Sequence, residues 1–138
     1  MRNTEKYLHQ DEDVPICETL FRVVPGDQWQ QATRSGVVPR CAADERDDCV
    51  HLNVREDVEL AADLWFSPEE RPVALEIDPS SVRSNLRWEL RTKDPVEVWP
   101  NLYVPHLRAD QVVAVHRLER DESGHFRFAT RDPGPAGE

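Results

Sequence analysis

The chain has 138 residues, which is enough for one domain and too few for two ordinary ones. Its 17 Lys and Arg residues against 27 Asp and Glu residues give a net charge of −10 without a basic stripe, so we expect no binding to nucleic acid or to an anionic membrane. No apolar run approaches the roughly 20 residues of a membrane span. The three cysteines have no C-x-x-C spacing, so they predict neither disulfides nor a bound metal. We therefore expect a cytoplasmic protein.

The first half of the chain alternates short apolar runs with polar segments. Residues 1–18 form a polar, acidic arm that we expect to be flexible or to dock late. The apolar run at 20–24 predicts a strand, and a proline after it opens a helix over 25–35 that a glycine ends. A polar loop over 37–48 then leads into a second strand at 49–53.

A second helix is predicted over 54–66. Asn53 and Glu56 have the spacing of a capping box, which makes Asn53 the expected helix cap. The apolar stripe that should face the core contains Val58, Ala61, Ala62, Trp65 and Phe66.

The second half of the chain is rich in predicted strands. They are expected over 72–78, 86–91, 111–120 and 125–128, with a proline-bounded extended or looped segment at 99–105. Early helices followed by mostly strands predict a single α+β domain over 19–129, built from curved, mostly antiparallel small sheets that form a cleft and are flanked by two helices. The tail at 130–138 lacks large apolar groups and is expected to be disordered.

His51 is the first candidate for chemistry. Alternation along its strand puts Cys49, His51 and Asn53 on one face and Val50 and Leu52, the expected core pair, on the other. An imidazole that points away from the core can orient a ligand hydroxyl or move a proton near neutral pH. The alternative is a lone histidine that satisfies a backbone carbonyl.

Glu89 is the second candidate, because it lies between Arg87 and Arg91 on one face of a strictly alternating strand. Flanking guanidiniums would hold the carboxylate in place for a ligand hydroxyl or a developing cation. The alternative is a solvated ladder of charges that contributes little to stability.

Asn101 and Tyr103 are the third candidate pair. They alternate with apolar residues in a segment bracketed by prolines, so the tyrosine can present both a ring face and a hydroxyl to a ligand. The alternative is a core tyrosine whose hydroxyl reaches the surface.

Taken together, these segments resemble the bacterial family known as domain of unknown function 952. The resemblance covers residues 20–118 and rests on order and spacing: a proline-initiated helix with Trp29 and a stop at Gly36, then DDCVHLN, ALEID, LRWEL and WPNLYVP. It implies a fold related to the ADP-ribosyltransferases, which bind NAD in a cleft between two small sheets. The implied activity is a fold-level analogy.

The resemblance also implies a set of site residues. His51, Glu89 and Tyr103 match the catalytic positions, with the imidazole on a ribose hydroxyl, the carboxylate on the ribosyl cation and the phenol ring against nicotinamide. The implied substrate-binding positions are Arg22, Asn53, Trp88 and Asn101.

Four positions depart from the family pattern, and residues 1–18 precede its first strand. Asn53 replaces a serine, Asn101 replaces a histidine, and Cys49-Val50 replaces Gly-Phe. If the serine and histidine contact substrate, the ligand of this chain has changed or catalysis has been lost, and a cysteine fills space that a glycine leaves open to a ligand.

Three functions remain open from the sequence. The first is an ADP-ribosyltransferase-like enzyme that binds NAD or a related nucleotide around His51. The second is a small-molecule cyclase, isomerase or lyase of a specialised biosynthetic pathway, with His51 as acid or base and Glu89 or Tyr103 as its counterpart. The third is a non-catalytic module whose acidic arm contacts a protein partner.

Overall fold

The computed structural model of the chain describes residues 7–8, 19–93 and 96–137. The strands of this part are β1 (Tyr7–Leu8), β2 (Leu20–Val24), β3 (Val37–Val38), β4 (Val50–His51), β5 (Val73–Ile77), β6 (Leu86–Lys93), β7 (Val96–Leu102), β8 (Leu107–Arg108), β9 (Val112–Arg120) and β10 (Phe126–Pro133). The helices are α1 (Gly26–Ser35), α2 (Ala42–Asp47), α3 (Arg55–Trp65) and α4 (Pro79–Val82).

The strands form two four-stranded sheets and one small two-stranded sheet. Sheet A has the order β1-β6-β7-β4, sheet B has the order β10-β9-β5-β2, and β3 pairs with β8. Every one of these pairings is antiparallel. The predicted α+β class with small antiparallel sheets is therefore confirmed.

The main hydrophobic core lies where sheet A packs on sheet B. Alternation sends one face of each strand inward, as the period of two requires. Sheet A contributes Val50, Leu86, Trp88 and Leu102, and sheet B contributes Leu20, Val24, Leu75, Ile77 and Val115.

A second apolar cluster lies on the opposite face of sheet B, under α3. Val58 and Ala62, one turn apart on the helix, pack there with Phe21, Leu118 and Phe126. The predicted stripe on this helix is correct for these two positions and for Phe66, but Trp65 is 71% exposed. The helix ends at Trp65, and the extended backbone of Phe66 turns the next ring back to the cluster.

The predicted capping role of Asn53 is wrong. Val54 occupies the N-cap position of α3, and no side chain caps the helix. Asn53 instead exchanges two backbone hydrogen bonds with Phe21, of 2.7 and 2.8 Å, at an isolated bridge that joins the two large sheets. Backbone pairing between sheets has taken precedence over the local capping pattern.

The segment 37–48, predicted to be a loop, contains β3 and α2. Helix α2 ends at Asp47, and the next residue, Asp48, takes the left-handed conformation with φ 56°. Within the described part of the chain, no helix is long and apolar enough to cross a membrane.

The two ends of the chain pack against the domain where they are described. From the predicted arm, Tyr7 and Leu8 pair with β6, and the rest of residues 1–18 lies outside the described residues. Residues 130–133, assigned to a disordered tail from composition, continue β10, and the Gly134 amide bonds the Val113 carbonyl at 2.9 Å. A Cβ at position 134 would lie 2.4 Å from a backbone oxygen, so glycine is what permits this approach.

Candidate functional site

The candidate site lies on the face of sheet A that turns away from the core. Antiparallel pairing places His51 beside Asn101, and Asn101 beside Arg87 on the next strand. Glu89 lies two residues further along β6 on the same face. Pairing thus brings the three predicted segments, around His51, Glu89 and Asn101–Tyr103, onto one surface.

Glu89 is held by two donors at a single oxygen. The Tyr103 hydroxyl donates to Oε1 at 2.6 Å, and the Asn101 amide nitrogen donates to the same atom at 2.7 Å. Among the residues that the structure describes, none bonds Oε2, which leaves that oxygen for a ligand. The amide orientation follows from charge, because the flipped side chain would set its oxygen against the carboxylate.

Tyr103 remains a protonated donor in this arrangement. Burial raises the pKa of its phenol, and the hydrogen bond to the Glu89 carboxylate and its negative charge raise the pKa further. The ring is 39% exposed. The side chain therefore offers solvent an aromatic surface while its hydroxyl positions the glutamate.

His51 lies between two carboxylates. Its Nδ1 is 2.7 Å from Asp44 Oδ1, and its Nε2 is 3.0 Å from Asp47 Oδ2. Hydrogen bonding to Arg46 lowers the pKa of Asp47, so this carboxylate is ionised near neutral pH. Ionised carboxylates only accept, so each ring nitrogen faces a group to which it could only donate a hydrogen bond.

Asp44 is the fully buried partner that orients His51. Its carboxylate accepts from the backbone N–H of His51 at 3.1 Å as well as from the ring, and it forms an ion pair with Arg22. Burial alone would raise the pKa of Asp44, but the His51 hydrogen bond and the Arg22 charge outweigh burial and hold the pKa well below its usual range. Asp44 is therefore a fixed negative charge.

Sequence reasoning did not identify Asp44, because it lies in the segment predicted to be a polar loop. The available signal was local: Asp44 is the third residue of α2, and its carboxylate accepts from the Cys41 backbone N–H at 3.2 Å, as in a capping box. That pattern would have predicted the helix, but not the contact with His51.

Cys49 connects the histidine to the glutamate. Its Sγ lies 4.0 Å from His51 Nε2, and the residue is buried. Burial raises the pKa of the Cys49 thiol to about 11, and the nearby carboxylates of Glu89, Asp47 and Asp44 contribute to the rise. A protonated, buried thiol is a weak nucleophile, so Cys49 fills space between the two polar clusters.

Three predicted substrate-binding residues lie elsewhere. Arg22 extends from the core face of sheet B, and its guanidinium bonds Asp44 and the His51 carbonyl, the latter at 2.8 Å. Trp88 is 7% exposed in the main core, on the opposite face of β6 from Glu89. Asn53 joins the sheets through its backbone. Arg22 thus contacts the site from its buried side, where it helps to fix Asp44 and His51.

Arg87 is an exposed cation of this face, and from the sequence it was expected, with Arg91, to flank Glu89 and to offset the net negative charge for a phosphate-bearing ligand. It lies in the same cross-strand row as Asn101 and His51, so it is placed to meet an anionic part of a ligand.

No group of three or more potential metal ligands occurs within the described ranges.

Comparisons with known proteins agree with this fold. The family model described as "Protein of unknown function (DUF952)" matches residues 23–115. The crystal structure of protein CC0527 from Caulobacter crescentus is 23% identical, covers 79% of this chain and 93% of its own, and superposes with a TM-score of 0.69. The solution structure of the same protein is 22% identical, with coverages of 78% and 90% and a TM-score of 0.63. No curated protein matches the chain.

Proposed function

We propose that this chain, which belongs to the DUF952 family of proteins of unknown function, is an enzyme of ADP-ribosyl-transferring type that binds NAD or a related nucleotide around His51. One observation carries the proposal. Tyr103 and Asn101 hold the Glu89 carboxylate through one oxygen, at 2.6 and 2.7 Å, on the same face of sheet A as the His51 imidazole.

A fixed carboxylate suits the chemistry of this reaction. When the bond between ribose C1 and the nicotinamide nitrogen breaks, its electron pair leaves with nicotinamide and positive charge develops on the ribose. The acceptor then bonds C1 and gives up a proton, which the Glu89 carboxylate can take. Because Tyr103 and Asn101 already orient Glu89, stabilising the developing cation requires little reorganisation.

The charged groups around Glu89 suit different parts of such a ligand: the acidic groups suit its nicotinamide ring and the ribose beside it, and the basic groups suit its hydroxyl and phosphate oxygens. Asp47 favours the positively charged nicotinamide ring, and Glu89 acts on the charge that develops at the ribose. Arg87 and His51 are the donors available to hydroxyl and phosphate oxygens. A ligand hydroxyl that replaced Asp47 at His51 Nε2 would keep the second ring hydrogen bond.

A second candidate is an acid–base enzyme acting on a small molecule that carries no phosphate. The observation that favours it is the position of Arg22. This guanidinium is buried in an ion pair with Asp44, so it does not face a ligand and offers no charge to a phosphate. In this reaction His51, which lies between two carboxylates, would act as the acid and Glu89 as the base.

The test is calorimetric titration with NAD together with a measurement of nicotinamide release. The wild-type chain should show saturable binding, and Glu89→Gln should bind NAD comparably while releasing nicotinamide about 10²- to 10³-fold more slowly, the scale of removing one preorganised electrostatic group. Glu119→Gln, which changes an exposed carboxylate on β9, is the matched control and should behave as wild type. Absence of binding at millimolar NAD would reject the proposal and favour the second candidate.

A further inference from the structure

A pocket of about 540 Å³ lies on the far face of sheet B from the candidate site. Helix α3 covers part of this face through Val58 and Ala62, but the helix begins at Arg55 and does not extend over the rest of the face. The side chains that define the pocket are Phe21, Arg55, Glu76, His116, Phe128 and Arg131.

A bulge in β10 gives the pocket one of its cations. The register with β9 shifts between Phe128 and Arg131, so the two side chains point to the same face although they are three positions apart. Arg131 consequently lies directly beside His116 on the neighbouring strand. Regular alternation would have turned the guanidinium to the other face.

The floor of the pocket is aromatic. The rings of Phe21, His116 and Phe128 meet edge to face, with centroid separations of 5.2 to 5.8 Å. His116 is 6% exposed, and its Nε2 bonds Glu76 Oε1 at 2.7 Å. Packing and this hydrogen bond fix the rings, so the floor is preformed for a flat apolar group.

The rim of the pocket is positive, in contrast to the net charge of the chain. The Arg55 guanidinium lies 4.0 Å above the Phe128 ring, and no carboxylate among the residues described forms an ion pair with it. Glu76 is the acidic group of the lining, and its Oε1 already accepts from His116 and, at 3.4 Å, from Arg131. Two guanidiniums therefore face one carboxylate whose charge is already shared.

We infer that this pocket binds a small aromatic carboxylate. The flat ring would rest on the aromatic floor, and the carboxylate would accept from Arg55 and Arg131, whose planar guanidiniums match its geometry. An aromatic amine fits less well, since its ammonium would meet both guanidiniums. The site is separate from the Glu89 face and is independent of the function proposed for that face.

Titration with benzoate, followed through the ring proton signals of His116 and Phe128 in NMR spectra, tests the inference. We expect saturable shifts in the wild-type chain and affinity reduced at least about tenfold in Arg55→Gln and in Arg131→Gln, the scale of losing a charge-assisted hydrogen bond. Arg34→Gln removes an exposed charge on α1, away from the pocket, and should leave the affinity unchanged.

Two further probes make the result specific. Benzylamine, with the same ring and the opposite charge, should cause no saturable shifts, and Glu89→Gln should bind benzoate as wild type does, which separates this site from the one around His51. The inference is overturned if benzoate fails to shift the pocket signals at tens of millimolar, if benzylamine binds equally well, or if both arginine variants, shown to be folded by circular dichroism, keep the wild-type affinity.

Discussion

Asp44 connects the buried interior of the protein to the candidate site. It is fully buried, and its carboxylate meets the Arg22 guanidinium on one side and the His51 ring on the other. These two partners compensate for the loss of water around the carboxylate, and the carboxylate in turn fixes the direction of the imidazole. Chemistry at His51 therefore depends on a residue that no ligand reaches.

Asp44→Asn should destabilise the fold by about 3–5 kcal/mol, because it leaves the buried Arg22 guanidinium without its anionic partner. Urea denaturation measures the change. The matched control is Asp47→Asn, which removes the partly exposed carboxylate on the other side of His51 and should cost no more than about 1 kcal/mol. Equal effects of the two variants would contradict the role assigned to Asp44.

The acid response of stability should also depend on Asp44. Its folded-state pKa lies below the usual value of 3.8, so the unfolded chain takes up a proton first. This part of the stability is complete above the usual carboxyl range and is lost as the pH falls from there toward the folded pKa. Denaturation at a series of acidic pH values should show a shallower fall in Asp44→Asn than in the wild-type chain.

At the scale of elements, α3 holds the edge strand β10 through two carboxylates one turn apart. Glu59 accepts from the Phe128 amide at 2.9 Å, and Asp63 accepts from the Phe126 amide at 2.7 Å. An edge strand otherwise presents such N–H groups to water or to another chain. The helix therefore replaces the missing neighbouring strand with side-chain acceptors, and Phe126 and Phe128 stay packed beneath it.

Asp63→Ala should destabilise the protein by about 1–3 kcal/mol, because the Phe126 amide loses its acceptor. Hydrogen exchange followed by NMR should show faster exchange at the Phe126 amide than in wild type. Glu56→Ala removes an exposed carboxylate from the first turn of the same helix and should cost less than about 1 kcal/mol without changing exchange at β10. Unaltered exchange of the Phe126 amide in Asp63→Ala would contradict a hydrogen bond between this amide and Asp63 in solution.

Across the whole molecule, the core and the candidate site share the strands of sheet A. Leu102 points into the core and is fully buried, while its neighbour Asn101 faces the site and bonds Glu89. Because side chains alternate, each strand of sheet A has one face in the core and the other face in the candidate site. Packing between the sheets therefore sets the position of the site residues.

Leu102→Ala should cost about 2–5 kcal/mol of stability through lost burial and the cavity it leaves. The same substitution at Leu64, which is largely exposed on α3, should change stability by no more than about 0.5 kcal/mol. Thermal or urea unfolding of both variants measures the contrast. Similar effects at the two positions would mean that the core does not lie between the sheets.

Local pattern was sufficient for much of the fold. The proline and glycine that bound α1 gave nearly its observed range, and alternation around residues 49–53 and 86–91 correctly separated the inward residues Val50, Leu86 and Trp88 from His51 and Glu89. Both signals act over a few residues, because helix ends and side-chain alternation depend on the backbone of the segment itself.

Local patterns in the sequence were therefore enough for the α+β class and for the strand faces that His51 and Glu89 occupy. The partners of these residues depend on the tertiary structure. Arg22 meets Asp44 over a separation of 22 residues, Tyr103 meets Glu89 over 14, and the bulge in β10 turns Arg131 toward His116. The physical reason is that such contacts depend on which strands become neighbours and in what register, and core packing sets both over the whole chain at once.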